Sequence, residues 1–138
     1  MTLTLYTDGG ARGNPGIAGA GVHIIDAEGT LIEDVAKPLG IATNNEAEYQ
    51  AVIMGFEKIR ERFGIEADTL RIVLKLDSEL VGKQLLGSYR VKEPRLKPLY
   101  KHARLCMESF ASVTVMLIPR EENKEADRLS NLAMDQVL

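Results

Sequence analysis

Apolar positions along the chain switch between a period of two and a period near three and a half. Leu3 and Leu5 alternate with Thr4 and Tyr6, which predicts a strand running to Asp8. Four glycines and one proline fall within residues 9–16, so the strand is expected to end there in a loop. Residues 18–25 predict a second strand, Asp26 to Gly29 a turn, and residues 30–35 a third strand, giving a hairpin. Residues 37–42 read as loop. Thr43-Asn-Asn-Glu46 has the spacing of a helix capping box. Tyr49, Val52, Ile53, Phe56, Ile59 and Phe63 then recur at helical spacing until Gly64 stops the helix.

The second half repeats the alternation. Residues 69–76 predict a strand with Leu70, Ile72, Leu74 and Leu76 on one face. It ends at Asp77, and Ser78 opens a short helical stretch to Leu86, broken by Gly87 and Ser88. Pro94 and Pro98 bracket the start of another helix, with Leu99, Ala103, Cys106, Met107 and Phe110 as its apolar set. Residues 113–118 predict a fifth strand, closed by Pro119. A last helix starts near Asn123 with Ala126, Leu129, Ala133 and Val137 inward. The succession is that of an α/β protein.

Composition narrows the function classes. A chain of 138 residues, 45% hydrophobic, suffices for one globular domain with a core. No apolar run approaches the ~18 residues of a membrane span, and no basic leader with a cleavage pattern opens the chain, so a cytoplasmic protein is expected. The single cysteine, Cys106, rules out an intrachain disulfide and a cysteine-based zinc site, and its place in the apolar set predicts a core thiol. His23 and His102 are too few and too far apart for a histidine metal cluster. The pair Gly19-Ala-Gly21 is not a dinucleotide loop, because Ile24 stands where a third glycine would be needed. A net charge of −3 argues against a general polyanion binder. Residues 90–104 are the exception, with six Lys or Arg and one acid, Glu93.

Four acids carry the candidate chemistry. Asp8 and Asp77 each close a predicted strand, and ligands of open α/β sheets bind beyond the carboxyl ends of strands. If those strands are parallel neighbours, they lie ~4.8 Å apart. Two like charges ~4 Å apart repel by roughly 4 kcal/mol at an effective dielectric near 20. Glu48 at the start of the first long helix and Asp127 at the start of the last would add to that repulsion. Such a set requires a cation or a shared proton. All-oxygen donors suit Mg²⁺ or Mn²⁺, and two such ions ~3.5–4 Å apart serve in-line displacement at phosphorus. Plainer roles remain open for single residues: Asp8 as a turn residue, and Glu48 as a favourable acid at a helix N-terminus.

Thr7-Asp8-Gly-Gly-Ala-Arg-Gly-Asn14-Pro-Gly, Thr43-Asn44-Asn45-Glu-Ala-Glu48, Leu76-Asp77-Ser78 and Glu122-Asn-Lys-Glu-Ala-Asp127 resemble, in this order, the four motifs of type 1 ribonuclease H. The likeness spans essentially the whole chain, as one domain over residues 1–138. It implies a five-stranded mixed sheet, the hairpin strands antiparallel beside the first, with helices on both faces. It implies an endonuclease that hydrolyses the RNA strand of RNA–DNA hybrids by two-metal-ion catalysis and leaves 5′-phosphate and 3′-hydroxyl ends. Asp8, Glu48, Asp77 and Asp127 match the metal-binding carboxylates, Glu48 also lying near a ribose 2′-hydroxyl. Asn14, Asn44 and Asn45 match positions that contact the RNA strand. Amides suit that task because they both donate and accept, and the 2′-hydroxyl distinguishes RNA from DNA. Thr43 matches a position in a DNA-phosphate pocket. Asn44 and Thr43 also fit as helix-cap residues.

Three departures from the family pattern stand out. Relatives often carry a histidine in the loop before the last acid; here the loop reads Ile118-Pro-Arg120-Glu-Glu. The guanidinium pKa is too high for proton shuttling, so Arg120 is expected to draw the product phosphate away. Ile41 stands where an arginine often supports the DNA-phosphate pocket, which predicts a weaker pocket. The extra basic, tryptophan-bearing helix of some relatives is missing, and Arg90, Lys92, Arg95, Lys97 and Lys101 are the candidates to replace it on the nucleic-acid backbone. A solvated helix face is the alternative for those five.

Two further classes compete. A non-catalytic hybrid-binding module on the same fold would have no use for four acids that repel a phosphate backbone. A transposase, junction resolvase or exonuclease of the same fold would not need the Asn14 and Thr43-Asn44-Asn45 matches. The expected partner is an RNA–DNA hybrid, with duplex RNA a second candidate, no membrane, and a monomer.

Overall fold

The computed structural model describes residues 1–136. The chain runs β1 (Thr2–Gly13), β2 (Gly16–Asp26), β3 (Leu31–Ala42), α1 (Asn44–Phe63), β4 (Arg71–Leu76), α2 (Glu79–Leu85), α3 (Lys97–Glu108), β5 (Ser112–Leu117) and α4 (Lys124–Asp135). Short 3-10 turns at Gly64–Thr69 and Arg120–Glu122 link α1 to β4 and β5 to α4. The five strands form one mixed sheet in the order β3-β2-β1-β4-β5. β1 pairs antiparallel with β2 and parallel with β4, and β4 pairs parallel with β5.

Alternation along the strands decides where the core lies. Leu3 and Leu5 of β1, Val22 and Ile24 of β2, and Ile72, Leu74 and Leu76 of β4 are buried under Tyr49, Val52, Phe56 and Ile59 of α1. Helix α4 packs on β2, β1 and β3 from the opposite face, with Ala126, Leu129 and Ala133 inward as their spacing predicts. Val137, expected to extend that stripe, lies outside the described residues. Helix α1 begins as its sequence requires: Thr43 Oγ1 accepts from the Glu46 N–H and Glu46 Oε1 accepts from the Thr43 N–H, a complete capping box. It ends at Gly64, whose φ of 58° lies in the left-handed region. Cys106 is half-buried against the core, and burial pushes its thiol pKa up.

Two expectations about loops are corrected. The glycine-rich segment after Asp8 is strand: β1 continues to Gly13 in antiparallel register with β2. Residues 37–42 are also strand, because β2 stays long enough to pair with them out to Ala42. Pro38 is tolerated there because β3 is the edge of the sheet. Glycine misleads here because it is used for contact. A Cβ on Gly21 would sit 2.2 Å from the Ala126 carbonyl oxygen of α4, and one on Gly9 would sit 2.2 Å from the Ala47 carbonyl oxygen of α1. The bare backbone lets both helices approach the sheet. Gly9→Ala is therefore expected to lower stability by about 2–3 kcal/mol, read as a lower urea midpoint, since backbone on both sides must move.

Candidate active site

Asp8 does not end its strand. It sits where β1 loses its parallel neighbour: the β1–β4 register last pairs Tyr6 with Lys75, and two steps on it sets Asp8 beside Asp77. Glu48 arrives from near the start of α1, drawn in by the close contact at Gly9, whose N–H donates to Glu48 Oε1 at 2.7 Å. Asp8, Glu48 and Asp77 can each offer an oxygen such that all three lie within 4.8 Å of one another. The three acids line one cavity of about 420 Å³ together with Asn44, Asn45, Arg120 and Asp127.

Electrostatics sets this trio apart from ordinary surface acids. Asp8 and Glu48 are 9% and 7% exposed. Burial, with repulsion from Asp77 and Asp127 behind it, pushes the Asp8 pKa up to about 6. Burial and then repulsion from Asp8 push Glu48 well above its ordinary value. Asp77 is raised by burial too, though Asn123 and Arg120 hold it back. Glu48 Oε2 is buried without a hydrogen-bond partner. A buried carboxylate oxygen with an empty side, beside two more acids, fits a hard divalent cation.

Asp127 stands slightly apart. It lines the same cavity, half-buried, with Arg120 Nη2 3.8 Å from its Oδ1 and Asn131 donating to its main-chain oxygen. It lies outside the tight group of three. Arg120 itself is 81% exposed.

The asparagines hold the rim. Asn44 Oδ1 accepts from the Ala11 N–H at 2.8 Å, and Asn14 Oδ1 accepts from the Asn44 N–H at 3.0 Å. Each amide has spent its acceptor on backbone, leaving its NH₂ for an incoming group. These bonds tie the β1–β2 turn to the start of α1. Asn45 faces two cavities, the carboxylate one and a neighbouring groove of about 530 Å³ lined also by Asn14, Thr43, Arg90, Lys92 and Arg95. Arg90, Lys92 and Arg95 thus belong to an irregular loop that walls a groove, and only Lys97 and Lys101 lie on a helix.

Two supporting residues escaped sequence reasoning. Ser130 donates to Asp8 Oδ2 at 2.7 Å, and Asn123 donates to the Thr7 carbonyl at 2.9 Å and reaches Asp77 Oδ2 at 3.5 Å. Ser130 lies one turn after Asp127 on the inward stripe of α4, which was the available signal. Asn123 looked only like a helix start. A second potential ligand group, His23, Asp34 and Glu125, lies away from this cavity. There Arg128, 3.8 Å from Asp34 and 3.4 Å from Glu125, already supplies the cation.

Comparisons with known proteins agree with this geometry. A family model described as reverse transcriptase-like matches residues 6–133. A bifunctional protein of Mycobacterium tuberculosis is 38% identical over 136 residues, covering 98% of this chain. The crystal structure of ribonuclease H1 from Halobacterium salinarum superimposes with a TM-score of 0.91 at 36% identity, covering 99% of this chain and 100% of that one. A ribonuclease H1 isolated from compost, solved in complex with an RNA/DNA hybrid, gives 0.91 at 42% identity over 97% of each chain. This chain spans 36% of the length of the mycobacterial relative, and 63% of the curated halobacterial ribonuclease HI. No helix among the described residues is long and apolar enough to cross a membrane.

Proposed function

Because the chain belongs to the ribonuclease H family, as a short type 1 member, we propose that it is an endonuclease hydrolysing the RNA strand of RNA–DNA hybrids. The observation that carries this is the trio of buried Asp8 and Glu48 with half-buried Asp77, whose oxygens gather within 4.8 Å with no lysine or arginine among the described residues bonded to them. We read residues 1–138 as one such domain, acting as a monomer. The cytoplasm, where Cys106 would stay reduced, is the compartment this reading assumes.

Asp8, Glu48 and Asp77 would hold divalent ions, with Asp127 at the mouth of the cavity completing the set. Two bound Mg²⁺ or Mn²⁺ ions would supply activation of a water and stabilisation of the leaving oxygen. In the net hydrolysis the water oxygen would join phosphorus as the bond to the 3′-oxygen breaks, the water giving up one proton to solvent and the 3′-oxygen taking one from it. The products are a 5′-phosphate and a 3′-hydroxyl. Ser130 and Asn123 fix the Asp8 and Asp77 carboxylates, so their oxygens need little reorganisation. The free NH₂ groups of Asn14 and Asn44, with Asn45 between the two cavities, would donate to the RNA strand. Glu48, which lines the same cavity as Asn44 and Asn45, would meet a 2′-hydroxyl, the group that marks RNA. Thr43, its oxygen engaged in the cap, still has a proton to give to a phosphate of the DNA strand. Arg120, permanently charged and exposed, would draw the new 5′-phosphate outward.

The test is incubation of labelled hybrid, duplex DNA and duplex RNA with Mg²⁺, Mn²⁺ or EDTA. Metal-dependent cleavage of the hybrid is expected. Hybrid binding without cleavage in either metal would favour the binding module instead.

Arg90, Lys92, Arg95, Lys97 and Lys101 supply the backbone-binding surface in this reading. Reversing Arg90, Lys92 and Arg95 to Glu together should weaken hybrid binding at least tenfold at low salt and flatten its salt dependence. Fluorescence anisotropy across a salt series reads both quantities, and an unchanged affinity at low salt would return these residues to a solvated surface.

A further inference from the structure

Among the described residues that line the carboxylate cavity, the cations are Arg120 and Arg12. Arg120 has a role above; Arg12 has none. Its place follows from the period of β1. Successive side chains of a strand alternate between faces, so Asp8, Gly10 and Arg12 share the face turned to α4. There Asp8 accepts from Ser130, and Arg12 Nη2 lies 2.6 Å from Asp135 Oδ1. Gly10 stands between them with no side chain, and a Cβ there would meet Met134 Cε at an ordinary 3.5 Å. The floor from the acid to the arginine is therefore bare backbone, with Met134 beside it.

The two arginines bracket the cavity. Arg120 lies against Asp127 at the start of α4, and Arg12 against Asp135 at its end, roughly 12 Å away along the helix. Four acids repel the phosphate backbone they have to receive, and a cation at each end offsets that repulsion. Arg12 is available for this work. It is 49% exposed and Asp135 61%, and a pair so exposed holds weakly. A guanidinium also carries more N–H donors than one carboxylate oxygen can take, and its planar fork fits a phosphate. Arg12 lies roughly 13 Å along β1 from Asp8, so it serves a phosphate further along the strand rather than the reacting one. The neighbouring Ala11 N–H donates to Asn44, one of the rim amides given above to the RNA strand. A strand running from the acids to Asn44 lies beside this segment.

We propose that Arg12 binds the strand that is cut, its guanidinium donating to a backbone phosphate beyond the one held at the carboxylate trio. The proposal rests on the hybrid reading above. Asp135 is the positioning residue that aims the guanidinium along α4 before the strand arrives. A purely structural Arg12 would instead only neutralise Asp135 at the C-terminal end of α4, whose last turn has no basic residue.

The test measures binding of a labelled RNA–DNA hybrid to the Asp8→Asn protein with and without a second change, so that no cleavage intervenes. Arg12→Ala should raise the dissociation constant about tenfold at low salt and lower the slope of its salt dependence by about one. Arg12→Lys keeps the charge but loses the fork, and should raise the constant about threefold. Asp135→Asn removes a charge that repels phosphate and should leave binding equal or tighter. One uncharged methylphosphonate, moved along the cut strand of a duplex with ribose only in a short central run, locates the contact. At one position away from the scissile phosphate, Arg12→Ala should cost no further affinity. In the otherwise native enzyme the loss should appear in KM rather than in kcat. Melting curves fix a temperature at which all variants are folded. An unchanged dissociation constant for folded Arg12→Ala, or an equal weakening by folded Asp135→Asn, would overturn the proposal. Failure of the Asp8→Asn protein itself to bind hybrid would instead overturn the hybrid reading, and this inference with it.

Discussion

Asp8→Asn is expected to abolish the proposed hybrid cleavage, by at least about a thousandfold, and to raise the melting temperature of the metal-free protein at pH 7. The two effects have one cause. Asp8 is buried beside Glu48 and Asp77, with a hydroxyl and a backbone amide nearby but no lysine or arginine among the described residues bonded to the group. Its pKa near 6, against 3.8 for an ordinary aspartate, means the unfolded chain gives up this proton more readily than the folded one. The penalty is absent below pH 4, grows as pH rises, and is complete above pH 6, where it amounts to at most about 3 kcal/mol. Asparagine removes the charge and still accepts from Ser130. A gain of roughly 5 °C at pH 7 is expected, shrinking toward zero near pH 4. Calorimetry at the two pH values checks it, and a clear loss of stability at pH 7 would mean that Asp8 is primarily structural.

Divalent metal should do for the native protein what the substitution does for the variant. Magnesium or manganese at about a hundred times its dissociation constant adds ~2.7 kcal/mol to the folded state, several degrees in melting temperature, and EDTA removes both that gain and all cleavage. The metal-induced gain should be largest near neutral pH, because protons compete for the carboxylates below pH 6. In Asp8→Asn the metal-induced gain should be much reduced. Equal stabilisation of native protein and variant would place the bound metal elsewhere.

Much of this site was legible in the sequence because its parts are local. The Thr43–Glu46 capping box, the Gly64 stop and the alternation of Ile72, Leu74 and Leu76 each need only neighbouring residues, and each is where the pattern puts it. Asp8 and Asp77 could be paired because a parallel register carries position along the chain into position in space. What stayed hidden depends on contacts between distant segments. Gly9 read as a loop residue and Gly21 only as a strand position, but both are close-approach points for helices inside strands, a fact held in Ala47 and Ala126. Residues 37–42 read as loop, because Pro38 and Gly40 mask a strand that exists only through its partner β2. Ser130 is unremarkable in sequence; its meaning comes from Asp8, 122 residues away. Asp127 matched its motif, yet its oxygens stand outside the tight trio and its charge is shared with Arg120.

The most direct test is anomalous diffraction from crystals grown with Mn²⁺ near neutral pH. The account predicts manganese peaks in the cavity between Asp8, Glu48 and Asp77, with Glu48 Oε2 among the ligands and the peaks lost in Asp8→Asn. An empty cavity at saturating Mn²⁺, with the three carboxyls sharing protons instead, would contradict it.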